Sequence, residues 1–283
     1  MQSSTEVWGT SMDKSKSTNL SQMEFKKVGP VGAEVSNIDL RELSEEQVHE
    51  IKSAFLEFSV LVFRGQELNP DNLKKISLIW GKPQVHPVFK GMEDFPEIIE
   101  IKNLGEKYHT NAHWHSDVTF EPEPPDTTLL YSLEVPDGGG DTLFSNQYQA
   151  YEELGKELKD SLESAKAIHS NLSVILLTGG SADDAKTVEH PIFRTHPETG
   201  KRALYVTEAF VQSIKGLDQD DSRKTLSDLY SHASQERFIY RHKWSNGDLV
   251  VWDNRSVQHF AEHGYGDKIR NMRRITTSGS KPF

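Results

Sequence analysis

The chain has 283 residues, a formal net charge of −11 at pH 7 and no cysteine. The lack of cysteine excludes disulfides, zinc–thiolate sites and cysteine nucleophiles, so any metal would be bound by histidine and carboxylate side chains. The acidic balance argues against a nucleic-acid-binding protein, and no apolar run approaches the roughly 18 residues that predict a membrane span.

The first 22 residues are rich in serine, threonine and other polar side chains, which predicts a flexible polar arm over residues 1–22. No internal repeat and no proline-, glycine- or serine-rich linker divides the rest, so we expect one domain over residues 23–283. The N-terminus shows no basic segment followed by an apolar one, and we therefore expect a cytoplasmic protein.

Helices and strands are predicted from hydrophobic periodicity, capping residues and turn signals. Ser44 and Gln47 form a capping-box pattern before an apolar face, and Asn246-Gly247 is typical of a hairpin turn. In chain order we predict a helix at 44–58, a strand at 59–65, a helix at 69–81, strands at 96–103 and 127–136, a helix at 145–162, a hairpin at 191–206, a helix at 218–235 and a hairpin at 237–254. The strand-rich second half predicts a mainly β fold with flanking helices and mainly antiparallel sheets.

The stretch HWHSDVTF, residues 113–120, contains a candidate metal site. His115 and Asp117 are two residues apart, and on an extended segment both side chains point to the same face. His259, in LVVWDNRSVQHF, is the strongest candidate for a third ligand because it follows an apolar strand. Two histidines and one carboxylate leave open positions on a metal, as in non-haem Fe(II) oxygenases. The alternative is an ordinary hydrogen-bonded pair near a turn.

Two arginines near the C-terminus, within IRNMRRITTSG (269–279), indicate an anion site. On a strand, Arg270 and Arg274 share one face, and Arg273 lies on the other. Two inward-facing arginines are costly to bury without anions, and a guanidinium suits a carboxylate or a sulfonate. Alternatively, either arginine is solvated or pairs with one of the 43 acidic residues.

Five motifs occur in order along the chain: WHSDVTF (114–120), GGGDTLFSN (138–146), HPIFRTHPETG (190–200), DNRSVQHFA (253–261) and RNMRRITTSGSKPF (270–283). Together they resemble the taurine dioxygenase family of Fe(II)- and 2-oxoglutarate-dependent oxygenases. The resemblance covers nearly all of the chain after the polar arm. It implies a double-stranded β-helix, or jelly roll, flanked by helices.

The resemblance also implies roles for matching residues. His115, Asp117 and His259 would bind Fe(II), and Thr142 and Arg270 would bind the distal carboxylate of 2-oxoglutarate. Six further positions would contact the primary substrate: Arg274, His86 and the backbone N–H of Val118 at its acidic group, Asn111 near an amine, and Phe210 and Phe89 in the pocket wall. A tyrosine stands at the last of these positions in taurine-specific members, so its replacement by phenylalanine favours a less polar substrate tail.

The implied enzyme uses O2 to convert 2-oxoglutarate to succinate and CO2 while it hydroxylates a small organic anion, taurine or a related sulfonate. Alkyl sulfates and aryloxy-carboxylates are alternative substrates of the same chemistry. Two other classes of function are a cupin-like metal hydrolase or isomerase with the same triad, and a catalytically silent metabolite-binding protein. Family members are commonly oligomers, so we expect a homo-oligomer. The segment 172–190 is either a lid over the substrate or a surface loop.

Overall fold

The structure, a computed structural model, describes residues 22–102 and 112–283. Its strands are β1 Glu24–Lys27, β2 Ala33–Ser36, β3 Val60–Phe63, β4 Pro83–Gln84, β5 Ile98–Lys102, β6 Thr127–Glu134, β7 Thr142–Asn146, β8 Lys166–Ser170, β9 Thr187–Pro191, β10 Phe193–Thr195, β11 Arg202–Leu204, β12 Val211–Ile214, β13 Ile239–His242, β14 Leu249–Asp253, β15 Val257–Ala261 and β16 Asn271–Thr277. Its α-helices are α1 Glu45–Phe58, α2 Pro70–Ser77, α3 Gln147–Glu152, α4 Lys156–Leu162, α5 Leu172–Leu177 and α6 Gln219–Ala233.

The predicted polar arm falls almost wholly on residues 1–21, which lie outside the described residues, and the single domain over 23–283 stays a prediction. None of the described helices has the length and apolar character that crossing a lipid bilayer requires.

Two sheets form the centre of the fold and share one apolar core. The larger sheet has eight strands in the order β1-β2-β3-β14-β6-β16-β4, with β5 also paired to β16, and the smaller has the order β13-β7-β15. Their pairings are antiparallel apart from the parallel pair β2 and β3. The remaining strands form two small sheets, β12-β8-β9 and β10-β11. The mainly β, mainly antiparallel fold with flanking helices is as predicted.

Strand β3 shows how the larger sheet buries both of its faces. Val60 and Val62 pack in the core shared with the smaller sheet, whereas Leu61 and Phe63 pack in a second core with residues of α1 and α2. Burial on both faces requires apolar side chains at successive positions instead of an alternating pattern. The buried strand predicted over 59–65 is therefore confirmed, and it places a rigid layer behind the candidate site.

Helix α1 begins at the capping box that the sequence predicts. The hydroxyl of Ser44 accepts the backbone N–H of Gln47 at 3.2 Å, and the side chain of Gln47 accepts the N–H of Ser44 at 2.9 Å. Ile51 and Phe55 then pack in the core against the larger sheet. Each buried side chain of this size contributes about 1.5–3 kcal/mol, which fixes the helix on the sheet.

Two predicted helices differ from the observed ones. The helix predicted over 145–162 is two helices, because Asn146 caps α3 and Gly155 is the N-terminal cap of α4. Glycine inside a helix is about 1 kcal/mol less favourable than alanine, so the chain turns there instead of continuing. The helix predicted over 69–81 is shorter, since α2 ends at Ser77.

The hairpin predicted over 191–206 is present as β10 paired with β11, but the hairpin predicted over 237–254 is wrong. β13 pairs with β7 in the smaller sheet, whereas β14 pairs with β3 and β6 in the larger. The Asn246-Gly247 turn therefore carries the chain from one sheet to the other. Gly247 has a φ of 81°, and its carbonyl accepts the N–H of Gln66 at 2.7 Å.

Replacing Gly247 with alanine should destabilise the protein more than the same change at Gly216. Both glycines have a left-handed φ, 81° and 86°, so each alanine brings backbone strain of about 1–3 kcal/mol. A Cβ at Gly247 would also lie 2.8 Å from the Gln66 carbonyl oxygen, whereas nothing lies within 4 Å of one at Gly216. Urea unfolding should show an additional loss of about 1–3 kcal/mol for Gly247→Ala. Equal losses for the two variants would contradict the close approach at this turn.

Candidate active site

His115 and His259 are held opposite each other by backbone hydrogen bonds. The N–H of His115 donates to the carbonyl of His259 at 3.1 Å, and the N–H of His259 donates to the carbonyl of His115 at 2.8 Å. Directly opposed residues of such an antiparallel bridge carry their side chains on the same face. The two buried imidazole rings accordingly have centroids 4.1 Å apart.

Asp117 completes the cluster from a turn instead of the extended segment that the sequence predicts. Residues 117–120 form this turn, and Val118 has a φ of 53°, which is rare for a β-branched residue. The Asp117 Oδ1 lies 3.8 Å from the Nε2 of each histidine, which is too long for a hydrogen bond and leaves room for an ion. Within the described residues, this is the one group of three or more histidine or carboxylate side chains placed to hold a metal.

The protonation states of the three side chains suit a metal. The Nδ1 of His115 lies 2.8 Å from the His113 carbonyl, where only a protonated nitrogen donates, so Nε2 keeps its lone pair. Burial lowers the pKa of His115 and the pKa of His259, which keeps both imidazoles neutral. Burial alone would raise the pKa of Asp117, but the Arg274 guanidinium holds it well below its usual range. Two neutral imidazoles and one carboxylate are a donor set that fits Fe(II).

The Arg274 side chain lies against the same carboxylate. One terminal nitrogen is 2.8 Å from the Asp117 Oδ1, but this nitrogen lacks the geometry of a hydrogen bond. The contact is therefore an ion pair, and the guanidinium N–H groups remain available to hydrogen-bond to another anion. A metal ion bound between the histidines would share this oxygen with the guanidinium, and the two cations would compete for it.

Arg270 is a second buried arginine that could bind an anion. Its side chain is buried, and no carboxylate of the described residues pairs with it; its Nε has no hydrogen-bond partner. Burial lowers the pKa of Arg270, with only a small opposing effect of Tyr265. A buried guanidinium without an acidic partner is costly, so this position fits an anionic ligand.

Thr142 and Gly140 shape the surroundings of Arg270. The Oγ1 of Thr142, the first residue of β7, accepts the Nε1–H of Trp244 at 3.0 Å, which leaves its own proton to donate elsewhere. Gly140 has a φ of 75°, and a Cβ there would lie 3.1 Å from the Tyr265 ring and 3.4 Å from the Arg270 Nε. Glycine at this position therefore avoids close contacts with Tyr265 and Arg270, and both Thr142 and Arg270 line the same cavity.

One cavity of about 580 Å³ contains both anion sites and the histidine–aspartate cluster. Its lining includes every site residue predicted from the sequence except Asn111, which lies outside the described residues: His86, Phe89, His115, Asp117, Val118, Thr142, Phe210, His259, Arg270 and Arg274. The remaining wall is largely apolar and includes Ile99, Ile101, Phe120, Leu130, Val174 and Leu177. The arrangement can bind two anions beside one metal, with an apolar group next to them.

His86 presents one nitrogen to this cavity as a donor. Its Nδ1 accepts the backbone N–H groups of Val88 at 3.1 Å and Phe89 at 3.0 Å, so the proton of the neutral ring is on Nε2. Burial, with a smaller contribution from Arg274, lowers the pKa of His86 to about 4. The ring packs on Phe89 with centroids 4.9 Å apart. At neutral pH His86 is therefore an uncharged hydrogen-bond donor.

Aromatic side chains hold the two histidine rings. Phe210 meets the ring of His115 edge-on at 5.9 Å, and Trp252 packs on His259 with centroids 4.7 Å apart. Such contacts fix the orientation of the imidazoles and exclude water from one side of them.

Sequence analysis missed two polar residues beside Asp117. The Oγ1 of Thr128 donates to the Asp117 Oδ2 at 2.6 Å, and the Oδ1 of Asn254 accepts the backbone N–H of Asp117 at 3.1 Å. Asn254 lies in one of the motifs, but nothing in the motif indicates its role. Thr128 carries no signal at all, because it is one of two threonines at the start of an apolar strand.

Replacing His86 with asparagine should remove part of the pH dependence of folding stability. The asparagine Oδ1 accepts the same backbone N–H groups, but the amide does not titrate. The pKa of His86 is about 4 in the folded protein against 6.5 unfolded, so the unfolded state binds more protons between these values. Stability therefore falls as the pH falls through this window.

Relative to His86→Asn, the metal-free wild type should lose about 2–3 kcal/mol between neutral pH and pH 4, less than the full shift implies because the folded-state ring is only half-protonated at pH 4. Urea unfolding of both proteins across this range measures the difference. A difference that does not change with pH would contradict a buried neutral imidazole.

Known proteins are similar to this sequence over most of its length. Residues 24–276 match the taurine catabolism dioxygenase TauD, TfdA family. The chain is 35% identical over 277 residues to the alkylsulfatase of Acinetobacter baylyi, across 91% of this chain and 86% of that protein. It is 32% identical over 269 residues to the alpha-ketoglutarate-dependent sulfate ester dioxygenase of Pseudomonas putida, across 90% of this chain and 88% of that protein.

The fold is shared as well. The crystal structure of a taurine dioxygenase from Burkholderia xenovorans superposes with a TM-score of 0.81 at 32% identity, covering 92% of this chain and 90% of that chain. This agreement confirms the predicted jelly roll. The chain therefore belongs to the taurine catabolism dioxygenase TauD, TfdA family, and it is an Fe(II)- and 2-oxoglutarate-dependent dioxygenase.

Proposed function

We propose that this enzyme oxidises a small organic sulfate or sulfonate that carries an apolar tail. The observation that carries the proposal is the position of Arg274 and the neutral donor His86 in one largely apolar cavity with the histidine–aspartate cluster. A guanidinium and an N–H donor suit a compact oxyanion. The apolar wall suits a hydrocarbon tail and excludes water from it.

The relatives support a sulfur oxyanion as the head group. The two similar proteins from Acinetobacter baylyi and Pseudomonas putida carry names that refer to alkyl sulfates and sulfate esters. Taurine fits this cavity less well, because Phe89 has no hydroxyl group to meet its amine. A hydrocarbon next to the Phe89 ring would bury apolar surface instead.

His115, Asp117 and His259 would hold Fe(II), and Thr142 and Arg270 would bind the distal carboxylate of 2-oxoglutarate. When bound, the iron supplies activation of O2 coupled to conversion of 2-oxoglutarate to succinate and CO2, and with it oxidation of a substrate C–H bond. The three ligands already have their binding protonation states, so the site is prepared for a cation before one arrives.

Three groups of the chain would orient the substrate. Arg274 would pair with the anionic head group, the Nε2–H of His86 would donate to it, and the backbone N–H of Val118 would add a third contact. This anchoring would hold the carbon next to the head group beside the metal ligands. Hydroxylation of that carbon in a sulfate ester gives a product that collapses to an aldehyde and sulfate; from a sulfonate it releases sulfite.

We also propose that residues 172–190 close over the substrate. Ser173, Val174 and Leu177 of α5 line the cavity, although none of the α5 side chains is fully buried. Leu176 and Leu177 are 55% and 46% exposed, an unusual state for neighbouring leucines. An apolar tail bound in the cavity would cover such side chains and favour the closed position.

The homo-oligomeric state and the cytoplasmic location remain predictions from the sequence. Light scattering coupled to gel filtration would measure the first directly. Neither prediction affects the residues assigned to the site.

A succinate-release assay with Fe(II), 2-oxoglutarate and O2 tests the function. We expect hexyl sulfate or hexanesulfonate to give a higher kcat/KM than taurine or phenoxyacetate, since only they combine the sulfur oxyanion with an apolar tail. Faster turnover of taurine would contradict the apolar tail. Faster turnover of phenoxyacetate would contradict the sulfur oxyanion.

Substitution of the two arginines should separate their roles. Arg270→Ala should raise the KM for 2-oxoglutarate and leave the KM for the primary substrate nearly unchanged, whereas Arg274→Ala should do the reverse. Loss of a charge-assisted contact in a dry site costs about 2–5 kcal/mol, or roughly 30-fold to several thousand-fold in affinity. Lysine should rescue neither position well, because it lacks the planar fork of arginine.

Because Arg274 pairs with Asp117, Mn(II) affinity provides a control measurement for the Arg274 variant. Because the guanidinium and a metal compete for the same oxygen, Arg274→Ala should bind Mn(II) at least as tightly as the wild type. Its substrate should be poorly held, so more succinate should form per hydroxylated product.

If both variants changed the same KM, the separate assignment of the two arginines would fail.

A further inference from the structure

The two carboxylate oxygens of Asp117 have different surroundings. Oδ1 lies 3.8 Å from the Nε2 of both His115 and His259 and 2.8 Å from Arg274. Oδ2 instead accepts the hydroxyl of Thr128 at 2.6 Å. One oxygen therefore faces the cations and the ligand nitrogens, and the other is occupied by a hydrogen bond to the protein.

The direction of the Thr128 hydrogen bond is set by Asn254. The Nδ2–H of Asn254 donates to the Oγ1 of Thr128 at 2.8 Å, so the threonine oxygen accepts there and its own proton is left for Asp117. The Oδ1 of Asn254 accepts two N–H groups, from the Asp117 backbone and from the Trp252 ring, each at 3.1 Å. These two acceptor contacts fix which end of the amide is oxygen.

The network is buried and joined to two neighbouring strands. Thr128 and Asn254 are fully buried, and Trp252 is nearly so. Thr128 on β6 is the register partner of Trp252 on β14, and Asn254 follows β14 directly. A fully satisfied network of this kind in a dry interior is rigid, because every alternative geometry would leave a polar group unpaired.

Asn254 also supports the turn that carries Asp117. Its contact to the Asp117 N–H lies next to Val118, whose φ of 53° costs about 1–3 kcal/mol. The same amide therefore restrains Asp117 at both ends, at its backbone and, through Thr128, at its carboxylate.

We propose that Thr128 and Asn254 are positioning residues that occupy Oδ2 and reserve Oδ1 of Asp117 for the metal. Asp117 then contributes one oxygen instead of two, and the coordination position that a second oxygen would fill stays open for the co-substrate and O2. The inference rests on the proposed assignment of His115, Asp117 and His259 as the metal ligands. It adds the residues that determine whether Asp117 binds the metal through one oxygen or through two.

The test compares Thr128→Val, which keeps the shape and removes the hydroxyl, with Thr128→Ser, which keeps the hydroxyl. Thr127→Val is the matched control, because Thr127 is buried on the same strand and faces the opposite side of the sheet. Co(II) is titrated into each metal-free protein, and both the Kd and the visible absorption bands are recorded. These bands report the ligands around Co(II) and need no turnover.

Thr128→Val should weaken Co(II) binding by about 10- to 100-fold, as loss of a group that supports a ligand commonly does. Its visible bands should change as well, because the released Oδ2 is free to coordinate in place of a water and this alters the ligand field of Co(II). Thr128→Ser and Thr127→Val should match the wild type in both measurements. This pattern assigns the effect to the hydroxyl and not to packing.

Wild-type Co(II) affinity and bands in Thr128→Val would overturn the inference, and so would equal losses in Thr128→Ser and Thr128→Val. The serine variant alone carries the test if the valine variant does not fold, since a loss of affinity with the hydroxyl present contradicts the proposal. Asp117→Ala distinguishes the two levels of the assignment. Intact Co(II) binding in Asp117→Ala would overturn the ligand set itself, whereas its loss together with a silent Thr128→Val would overturn only the positioning role.

Discussion

The burial of the Asp117 carboxylate is the constraint on which the site depends. The residue is only 5% exposed, and a full negative charge removed from water is costly unless opposite charges and hydrogen bonds surround it. Two neighbouring strands contribute such groups: β6 the Thr128 hydroxyl and β16 the Arg274 guanidinium. The carboxylate stays ionised because these groups converge on it, and its remaining affinity for a cation makes the cluster a candidate metal site.

The jelly roll divides the site between strands and connecting segments. Thr142, His259 and Arg274 lie on strands, and the strands around them are packed on both faces. His86 and Phe89 lie between β4 and β5, and α5 lies between β8 and β9, in connecting segments where substitutions disturb the core less. In the proposed assignment, the strands would position Thr142, His259 and Arg274, and the connecting segments would recognise the substrate tail.

The sequence predicted the triad and the two arginines because these residue types have few reasons to be buried other than binding. The pair His115 and Asp117 was weak evidence alone, and the order of five motifs made it specific. The hairpin over 237–254 failed because an Asn-Gly turn looks the same whether the following strand pairs with its neighbour or with a distant sheet. Thr128 and Asn254 were not predictable, since their hydrogen bond joins residues 126 positions apart and leaves no local pattern.

The most direct test of the site is the affinity of the metal-free protein for Mn(II), measured by electron paramagnetic resonance for the wild type and for Asp117→Asn. The substitution keeps the shape of the side chain and removes the charge that the surrounding groups neutralise. Because Asp117 is assigned as a ligand and not as a support, the affinity should fall by more than the roughly 10- to 100-fold that loss of a supporting group costs. An unchanged Kd in Asp117→Asn would show that the buried carboxylate does not bind the metal.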